Sequence, residues 1–404
     1  MNEAVTAPSP SPKSKLRTWG ARLAGITFGV LLAWMIVEIA LRVFFFSLPP
    51  RLQLVLQHVH KHPFTDETLL PPPVWQPDTR YLTISRPVQN YEQIINSEVR
   101  FTVNTESLWG ARAAFRTRQE LVDRHVDGVA LGDSFTFCFT EEADCWVQQL
   151  AALTGRNIIN LGITSTGGVS HLRVFEDFGM PLQPPLVLWQ WYGNDANEDY
   201  GLAKLNGETD VPSTTDLAPP PPPSWLEENS ALYATLRLMF GPQDPLAPTL
   251  QFHDPVCVEK GDVRLCFGRP YLWRVFDMSQ PNNLDGWQRG QQALLRAREM
   301  VNSYGGTLVI VLIPTKEQVY REMSEPELGA EKLALLDEGY QMMLDFCAEE
   351  QFTCIDPLAE FRRHAQNNEQ LYYAIDAHLN ARGNAVLAQL LADWVDAHAD
   401  IFPQ

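Results

Sequence analysis

The residues best able to do chemistry follow a short apolar run at 129–131. That run ends in Gly132-Asp133-Ser134. An apolar run that stops at a glycine and then presents a serine is typical of a buried strand that turns sharply into a helix or loop. A serine hydroxyl is a weak nucleophile until a base, a group that orients the base, and donors for the developing oxyanion surround it. Ser134 is therefore the candidate nucleophile, and the rest of the chain must supply its partners.

Residues of the required types follow later apolar runs in the chain. Gly162 closes Asn160-Leu-Gly, Asn194 follows a glycine, and Asp376 stands two residues before His378 ahead of the last helical pattern. A histidine can take a proton from serine, and a carboxylate can orient that histidine. Glycine lets the backbone approach a substrate, and an amide donates without competing as a base. Each residue alone is weak evidence, but their order favours acyl chemistry on Ser134.

The elements that must position these residues alternate between strand and helix from about residue 126. The pattern predicts strands at 126–131, 157–161, 185–192, 307–313 and 352–355, and helices at 143–153, 168–178, 284–303, 331–349 and 381–398. Alternation of this kind indicates an α/β fold whose parallel sheet is covered on both faces. Ligands of such sheets bind beyond the carboxyl ends of the strands, where the candidate residues lie.

At these residues the chain resembles the SGNH (GDSL-like) hydrolase family, and in particular its membrane-anchored bacterial members. The matching residues are Gly132-Asp133-Ser134, Gly162, Asn194-Asp195, and Asp376 with His378. The resemblance covers roughly residues 126–400. It implies a three-layer α/β/α sandwich with a parallel, flavodoxin-like sheet. The acid stands two residues before the histidine, whereas the family usually has it three residues before.

The resemblance also implies a role for each matching residue. Ser134 would attack an ester carbonyl, His378 would take and return the proton, and Asp376 would orient the imidazole. The oxyanion would be held by the backbone N–H groups of Ser134 and Gly162 and by the side-chain amide of Asn194. No metal and no cofactor are expected.

Three further polar residues are candidates for substrate binding. Lys316 and Glu317 follow the fourth predicted strand, in a Pro-Thr-Lys-Glu segment that looks similar to one in SGNH-type proteins of envelope polysaccharide acetylation. Asp195 follows the third strand. A solvated loop pair is an equal interpretation of Lys316 and Glu317. For Asp133 and Asp195, bonding to loop amides is the favoured interpretation.

One segment near the N-terminus is long and apolar enough to cross a membrane. The segment at 22–48 follows several lysines and arginines, and its Glu38 and Arg42 stand one helical turn apart and can pair. The positive flank predicts a cytoplasmic tail at 1–21 and a catalytic domain in the periplasm or outside the cell. A cleaved signal peptide is the alternative. The remainder divides into a lead-in segment at 49–125 and the hydrolase-like domain at 126–400, with a proline-rich insertion at about 197–283.

Charge and cysteine content narrow the possible binding partners and the cellular location. The net charge of −18 argues against binding nucleic acid, which needs a basic face. Six cysteines fall into three close pairs, 138/145, 257/266 and 347/354, and an even count outside the cytoplasm permits disulfides. The pair 257/266 brackets a hairpin-like turn. The pair 138/145 can be bridged only if the chain between them is not one continuous helix, since seven helical residues span about 10 Å.

These features together predict a serine esterase. Its substrate would be ester-linked acyl groups, foremost O-acetyl groups, of an envelope or extracellular glycan or another small ester. One alternative is an O-acyltransferase of polysaccharide modification that uses the same residues. Another is a non-catalytic glycan-binding protein of envelope assembly, against which the intact Ser134, Asn194 and His378 count.

Overall fold

The structure is a computed structural model that describes residues 12–44, 47–48, 52, 56, 74–95, 98–212, 225–240, 256–268 and 270–402. The five consecutive prolines of the insertion lie outside the described residues. The chain divides into two compact units. One unit comprises Met1–Leu69 and Pro221–Leu246, and the other comprises Leu70–Pro220 and Ala247–Gln404.

The described strands and helices are numbered here in chain order. The strands are β1 Trp75–Asp78, β2 Leu82–Ser85, β3 Val88–Ile94, β4 Arg100–Ser107, β5 Ala114–Phe115, β6 Gly128–Leu131, β7 Ile158–Asn160, β8 Leu186–Trp191, β9 Val256–Lys260, β10 Val263–Phe267, β11 Thr307–Leu312 and β12 Thr353–Ile355. The helices are α1 Pro12–Val43, α2 Gln119–Val122, α3 Ser134–Phe137, α4 Trp146–Thr154, α5 Gly168–Val174, α6 Asp195–Leu205, α7 Trp225–Asn229, α8 Ala231–Phe240, α9 Pro270–Val275, α10 Pro281–Ser303, α11 Lys316–Val319, α12 Arg321–Leu328, α13 Ala330–Glu349, α14 Leu358–Gln366 and α15 Ala381–Ala397.

The larger unit is built on a five-stranded parallel sheet in the order β12-β11-β8-β6-β7. Numbered by their own succession along the chain, these strands run 5-4-3-1-2, which is the flavodoxin-like order. The predicted fold class is therefore confirmed. From β6 the chain passes to β7 on one side and then to β8 on the other side of β6. Doubly wound sheets bind ligands at such a switch point.

Apolar side chains of this sheet alternate between two cores, one on each face. In β11, Val309 and Val311 belong to one core, whereas Leu308, Ile310 and Leu312 belong to the other. The first core also contains buried residues of α4 and α15, and the second contains residues of α10 and α13. Because both faces are covered, the strands read as continuous apolar runs, as the sequence indicated.

A second sheet precedes the parallel one and belongs to the same unit. It is antiparallel and five-stranded, in the order β1-β2-β5-β4-β3. Its Phe101 and Val103 pack in a small core with Phe137 and Phe139, which lie at and just beyond the end of α3. The lead-in segment is thus packed directly behind the helix that Ser134 begins.

The smaller unit contains α1, α7 and α8. Within α1, residues Ala21–Val43 form a 23-residue stretch that is long and apolar enough to cross a membrane. The expected pair forms, because Arg42 donates to Glu38 Oε1 from Nε at 2.9 Å and from a terminal nitrogen at 2.6 Å. Glu38 also accepts from the Ser230 hydroxyl and from the first two N–H groups of α8, at 2.8 to 3.0 Å. The single carboxylate of this stretch therefore caps a second helix.

All three cysteine pairs form disulfides, which the even count permitted and the sequence alone left open. Cys257 and Cys266 face each other across the β9–β10 hairpin, and the turn between these strands is the one expected from the sequence. Cys138 bonds Cys145 because α3 ends at Phe137 and α4 begins only at Trp146, so no continuous helix separates the two. Cys347 at the end of α13 bonds Cys354 in β12.

Candidate active site

Ser134 is the first residue of α3, immediately after β6. The Asp133 side chain caps this short helix by accepting from the Phe135 N–H at 2.9 Å. The turn needs glycine at 132, because a Cβ there would lie 2.1 Å from Thr136 Oγ1 and 2.3 Å from Gln190 Oε1. Gln190 of β8 in turn accepts from the Asp133 N–H at 3.0 Å and from the Thr136 hydroxyl at 3.0 Å. The serine is therefore presented by a turn anchored to the neighbouring strand.

His378 and Asp376 complete a relay that starts at this serine. His378 Nε2 lies 2.7 Å from Ser134 Oγ, and His378 Nδ1 lies 2.5 Å from Asp376 Oδ1. The same carboxylate oxygen accepts from the His378 backbone N–H at 3.0 Å. An acid two residues before the histidine thus reaches the ring by folding back over its own turn. In this arrangement the imidazole can accept the serine proton while the carboxylate fixes its tautomer.

Two phenylalanine rings contact the imidazole of His378. The His378 ring centroid lies 4.6 Å from that of Phe135 and 4.1 Å from that of Phe139. Phe139 stacks in turn on Trp75 of β1, at 5.6 Å. Aromatic contacts of this kind limit ring rotation and exclude water from the relay.

The expected oxyanion donors occupy different situations. Ser134 opens a helix, so its N–H belongs to the first-turn amides that have no acceptor within the helix. The Gly162 N–H donates to Asn160 Oδ1 at 2.9 Å, so it is engaged within its own loop. Gly162 lies directly against α3, since a Cβ there would come 2.5 Å from the Phe137 backbone nitrogen. Asn194 is only 6% exposed and immediately precedes α6.

A group of buried carboxyl groups lies beneath Asn194. Burial raises the pKa of Asp133 to about 6, although the Phe135 N–H and the nearby His378 oppose this shift. Burial together with the charges of Asp133 and Asp199 raises the pKa of Asp195 well above its ordinary value. Neither carboxylate oxygen of Asp195 has a hydrogen-bond partner among the residues that the structure describes. Asp195 therefore favours the neutral form in the folded protein, whereas Asp133 becomes neutral only below about pH 6.

The three residues considered for substrate binding are all buried. Asp195 is 2% exposed, Lys316 1% and Glu317 0%. Glu317 Oε1 accepts from the Gly268 N–H at 3.1 Å, and Lys316 Nζ donates to backbone carbonyls of the loop before His378. The solvated-pair interpretation of Lys316 and Glu317 is therefore wrong. Lys316 and Glu317 are instead bonded inside the protein, where they support the site. The expectation that the Asp195 side chain bonds loop amides is also wrong, because neither of its oxygens has a partner among the described residues.

Sequence reasoning missed several residues of the lead-in segment that support the site. The buried Arg116 guanidinium donates to the carbonyls of Phe137, Cys138 and Thr140 at 2.6 to 3.0 Å, just beyond α3. Thr117 exchanges two hydrogen bonds with the Asn160 backbone at 2.7 and 2.8 Å. Glu98 accepts from three N–H groups at 374–376. These residues carry no local pattern that marks them.

Within the described part of the chain, no group of three or more His, Cys, Asp or Glu side chains is placed to hold a metal ion. The candidate site itself brings together a hydroxyl, an imidazole, a carboxylate and hydrogen-bond donors. That set can form and break an acyl ester bond.

Comparison with known proteins gives a family for the C-terminal part of the chain. Residues 272–403, which include Asp376 and His378, match the model of the SGNH hydrolase-like domain of the acetyltransferase AlgX. A comparison with curated proteins finds no match.

Solved structures similar to this chain include three enzymes. A catalytic mutant of Axe2, an acetylxylan esterase from Geobacillus stearothermophilus, is 12% identical, with a TM-score of 0.35 over 66% of this chain and 92% of that chain. The acetyl xylan esterase AlAXEase is 10% identical, with a TM-score of 0.36 over 66% and 99%. LAE5, an alpha/beta hydrolase enzyme from the metagenome of Lake Arreo, Spain, is 11% identical, with a TM-score of 0.35 over 68% and 96%.

The family match and the flavodoxin-like sheet agree with the order of residues along the strands. A match to an acetyltransferase domain indicates acetyl ester hydrolase or acetyltransferase-type activity. Residues 272–403 therefore match an SGNH hydrolase-like domain, and the chain has the SGNH hydrolase-like fold and is an enzyme that acts on ester bonds.

Proposed function

We propose that this enzyme is a serine esterase that removes acetyl groups ester-linked to a glycan of the envelope or the cell exterior. The observation that carries the proposal is the relay itself, with His378 Nε2 2.7 Å from Ser134 Oγ and Nδ1 2.5 Å from Asp376 Oδ1. The first distance is within the range that proton transfer between a nucleophile and its base requires, and the second is a direct hydrogen bond between the base and the carboxylate that orients it.

The reaction proceeds in two halves. His378 takes the hydroxyl proton as Ser134 Oγ attacks the ester carbonyl, and the protonated imidazole then gives that proton to the departing sugar oxygen. The acetyl group is left on Ser134. Water attacks this acyl-enzyme with His378 as base, which releases acetate and restores the serine. Asp376 stays ionised and stabilises the imidazolium in both halves, while the Ser134 N–H and the Asn194 amide stabilise the oxyanion.

Transfer to a second hydroxyl is the competing function. The match to the domain of an acetyltransferase favours it, and the same acyl-enzyme would serve both reactions. A sugar hydroxyl would replace water in the second half, with His378 again as the base. A non-catalytic glycan-binding protein would have no need of a serine within hydrogen-bonding distance of an oriented imidazole.

The expected location follows from the first unit. A 23-residue apolar stretch in α1, preceded in sequence by lysines and arginines, would act as an anchor with the N-terminus in the cytoplasm. The enzyme would then work in the periplasm or outside the cell, where its three disulfides would be stable. O-acetylated glycans are among the acyl esters that such a location offers.

The test uses the full-length chain purified in detergent. We expect hydrolysis of p-nitrophenyl acetate, slower hydrolysis of longer acyl esters, and loss of activity in Ser134→Ala and His378→Ala. Adding acetylated and unacetylated glycans then separates release of acetate from transfer of acetyl groups. Full activity in Ser134→Ala would refute the proposal, and faster hydrolysis of long acyl chains would refute its acetyl specificity.

A further inference from the structure

The loop that carries the acid of the relay is held on one side by a carboxylate from the lead-in segment. Glu98 lies just before β4, nearly 280 residues away in the chain. Its Oε2 accepts from the Ala374 N–H at 2.8 Å, and its Oε1 accepts from the N–H groups of Ile375 and Asp376 at 2.6 Å each. Three consecutive peptide N–H groups therefore converge on one side chain.

The same three residues are held through their carbonyl groups by an ammonium group. Lys316 begins α11, beyond the end of β11, and is 1% exposed. Its Nζ donates to the carbonyl oxygens of Ala374, Ile375 and Asp376 at 3.1, 3.1 and 3.0 Å. An ammonium group has three N–H donors, so these three contacts match its full donor set.

The two opposite charges thus complement the two ends of the peptide dipoles in one short loop. Hydrogen bonds to charged groups are shorter and stronger than those between neutral groups. Burial raises the pKa of Glu98, while the N–H groups of the loop and the nearby Lys316 charge lower it. The loop is also joined to β10 through the Cys266 N–H, which donates to the Ala374 carbonyl at 2.7 Å.

The geometry of this loop decides the geometry of the relay. Asp376 is the last of the three held residues, and its Oδ1 accepts both the backbone N–H and the Nδ1–H of His378. The Tyr373 N–H donates to the His378 carbonyl at 3.1 Å, which closes the loop behind the histidine. A misplacement of about 1 Å at a reacting group can cost roughly 100-fold in rate.

We propose that Glu98 and Lys316 are positioning residues, which clamp the Ala374–Asp376 loop so that Asp376 can hold His378 against Ser134. This inference rests on the proposed function, since it assigns a purpose to the loop only if the relay is catalytic. The lead-in segment then supplies part of the catalytic apparatus.

The test replaces Glu98 by glutamine in the full-length protein. Glutamine has one acceptor oxygen and an NH₂ group that cannot accept, so at least one N–H of the loop loses its partner and the charge opposite Lys316 disappears. We expect kcat for p-nitrophenyl acetate to fall about 10- to 100-fold with KM within about twofold of wild type, because a small ester does not contact the clamp. Glu98→Asp, which keeps the charge on a shorter side chain, should retain more activity.

A double-mutant cycle separates positioning from general damage. In an Asp376→Asn background, Glu98→Gln should lower kcat by less than about threefold, because the group it positions is already altered. Glu106→Gln is the matched control, since Glu106 lies in β4, the strand that follows Glu98, and also accepts from a backbone N–H, that of Gln119. It should leave kcat unchanged. Hydrogen exchange at 373–378 should be faster in Glu98→Gln than in wild type or the control.

The outcomes distinguish this inference from the proposed function. If Ser134→Ala abolishes activity but Glu98→Gln keeps kcat within twofold of wild type, the relay stands and the clamp is refuted. Equal losses from Glu98→Gln in the wild-type and Asp376→Asn backgrounds would also refute it. If Ser134→Ala is fully active, the proposed function itself fails. If Glu98→Gln does not fold, the same comparisons are made with Glu98→Asp.

Discussion

The stability of this protein should depend on pH through Asp133, the residue before the candidate nucleophile. Its side chain is 0% exposed, and burial raises its pKa from 3.8 to about 6. Asp133 Oδ1 accepts from the Phe135 N–H, whereas Oδ2 has no partner among the described residues. Asp133→Asn keeps an acceptor for that N–H and removes the charge, so it isolates the cost of ionisation.

Linkage between proton binding and folding sets the sign and size of this change in stability with pH. Between about pH 4 and pH 6 the folded state binds more protons at Asp133 than the unfolded state, so stability falls as pH rises through this window. The shift of roughly two units is equivalent to about 3 kcal/mol, which is the full cost above pH 7. Asp133→Asn should therefore be more stable than wild type by about 3 kcal/mol at pH 8 and by only about 1 kcal/mol at pH 4.5.

Thermal unfolding of the full-length protein in detergent measures the effect. A change of 2 kcal/mol between the two pH values corresponds to roughly 3 °C in the difference of Tm between variant and wild type for a unit of this size. Asp123→Asn, at an exposed aspartate, is the control and should show the same Tm difference at both pH values. The same Tm difference at both pH values for Asp133→Asn, or a lower stability than wild type at pH 8, would mean that Asp133 ionises without cost. Either result would refute the raised pKa of Asp133.

Three further changes test other parts of the structure. Asp376→Asn should lower kcat by about 100- to 10,000-fold with little change in Tm, because asparagine no longer fixes the tautomer of His378. Steady-state kinetics and a thermal scan measure both quantities, and an unchanged kcat would mean that the acid is dispensable. Replacing Cys257 and Cys266 together by serine should cost about 2–3 kcal/mol, the chain-entropy value for so short a loop, and an unchanged Tm would contradict this. Glu38→Leu should speed hydrogen exchange at the start of α8, because Glu38 accepts hydrogen bonds from its first two N–H groups. Unchanged exchange there would mean that this cap does not stabilise α8.

Much of the fold could be predicted from the sequence because both faces of the parallel sheet are buried. Continuous apolar runs therefore marked its central strands β8 and β11, and the alternation of strand and helix patterns marked the rest. The predicted strand at 307–313, for example, is observed at Thr307–Leu312, and the predicted helix at 381–398 at Ala381–Ala397. The candidate relay could be found for the same reason, since the ends of parallel strands bring distant residues to one edge.

The supporting residues could not be predicted, because their partners are backbone groups. Glu98 and Arg116 contact carbonyl or N–H groups of loops that any sequence could supply, so no residue type at the partner position reveals the contact. The sequence also does not tell whether a polar residue that follows a strand faces solvent or the interior. Lys316 faces inward because three carbonyl groups replace the water it loses. Asp195 faces inward among other carboxyl groups at the cost of a raised pKa.

Trapping the acyl-enzyme tests most directly whether Ser134 is the nucleophile. The full-length protein is mixed with p-nitrophenyl acetate, quenched in acid within the first turnovers, digested and analysed by mass spectrometry, with Ser134→Ala treated in parallel. A serine mechanism predicts one acetyl group on the peptide that contains Ser134, located on that hydroxyl, with neither the adduct nor turnover in Ser134→Ala. An acetyl group on another residue, or undiminished turnover in Ser134→Ala, would contradict the role proposed for this serine.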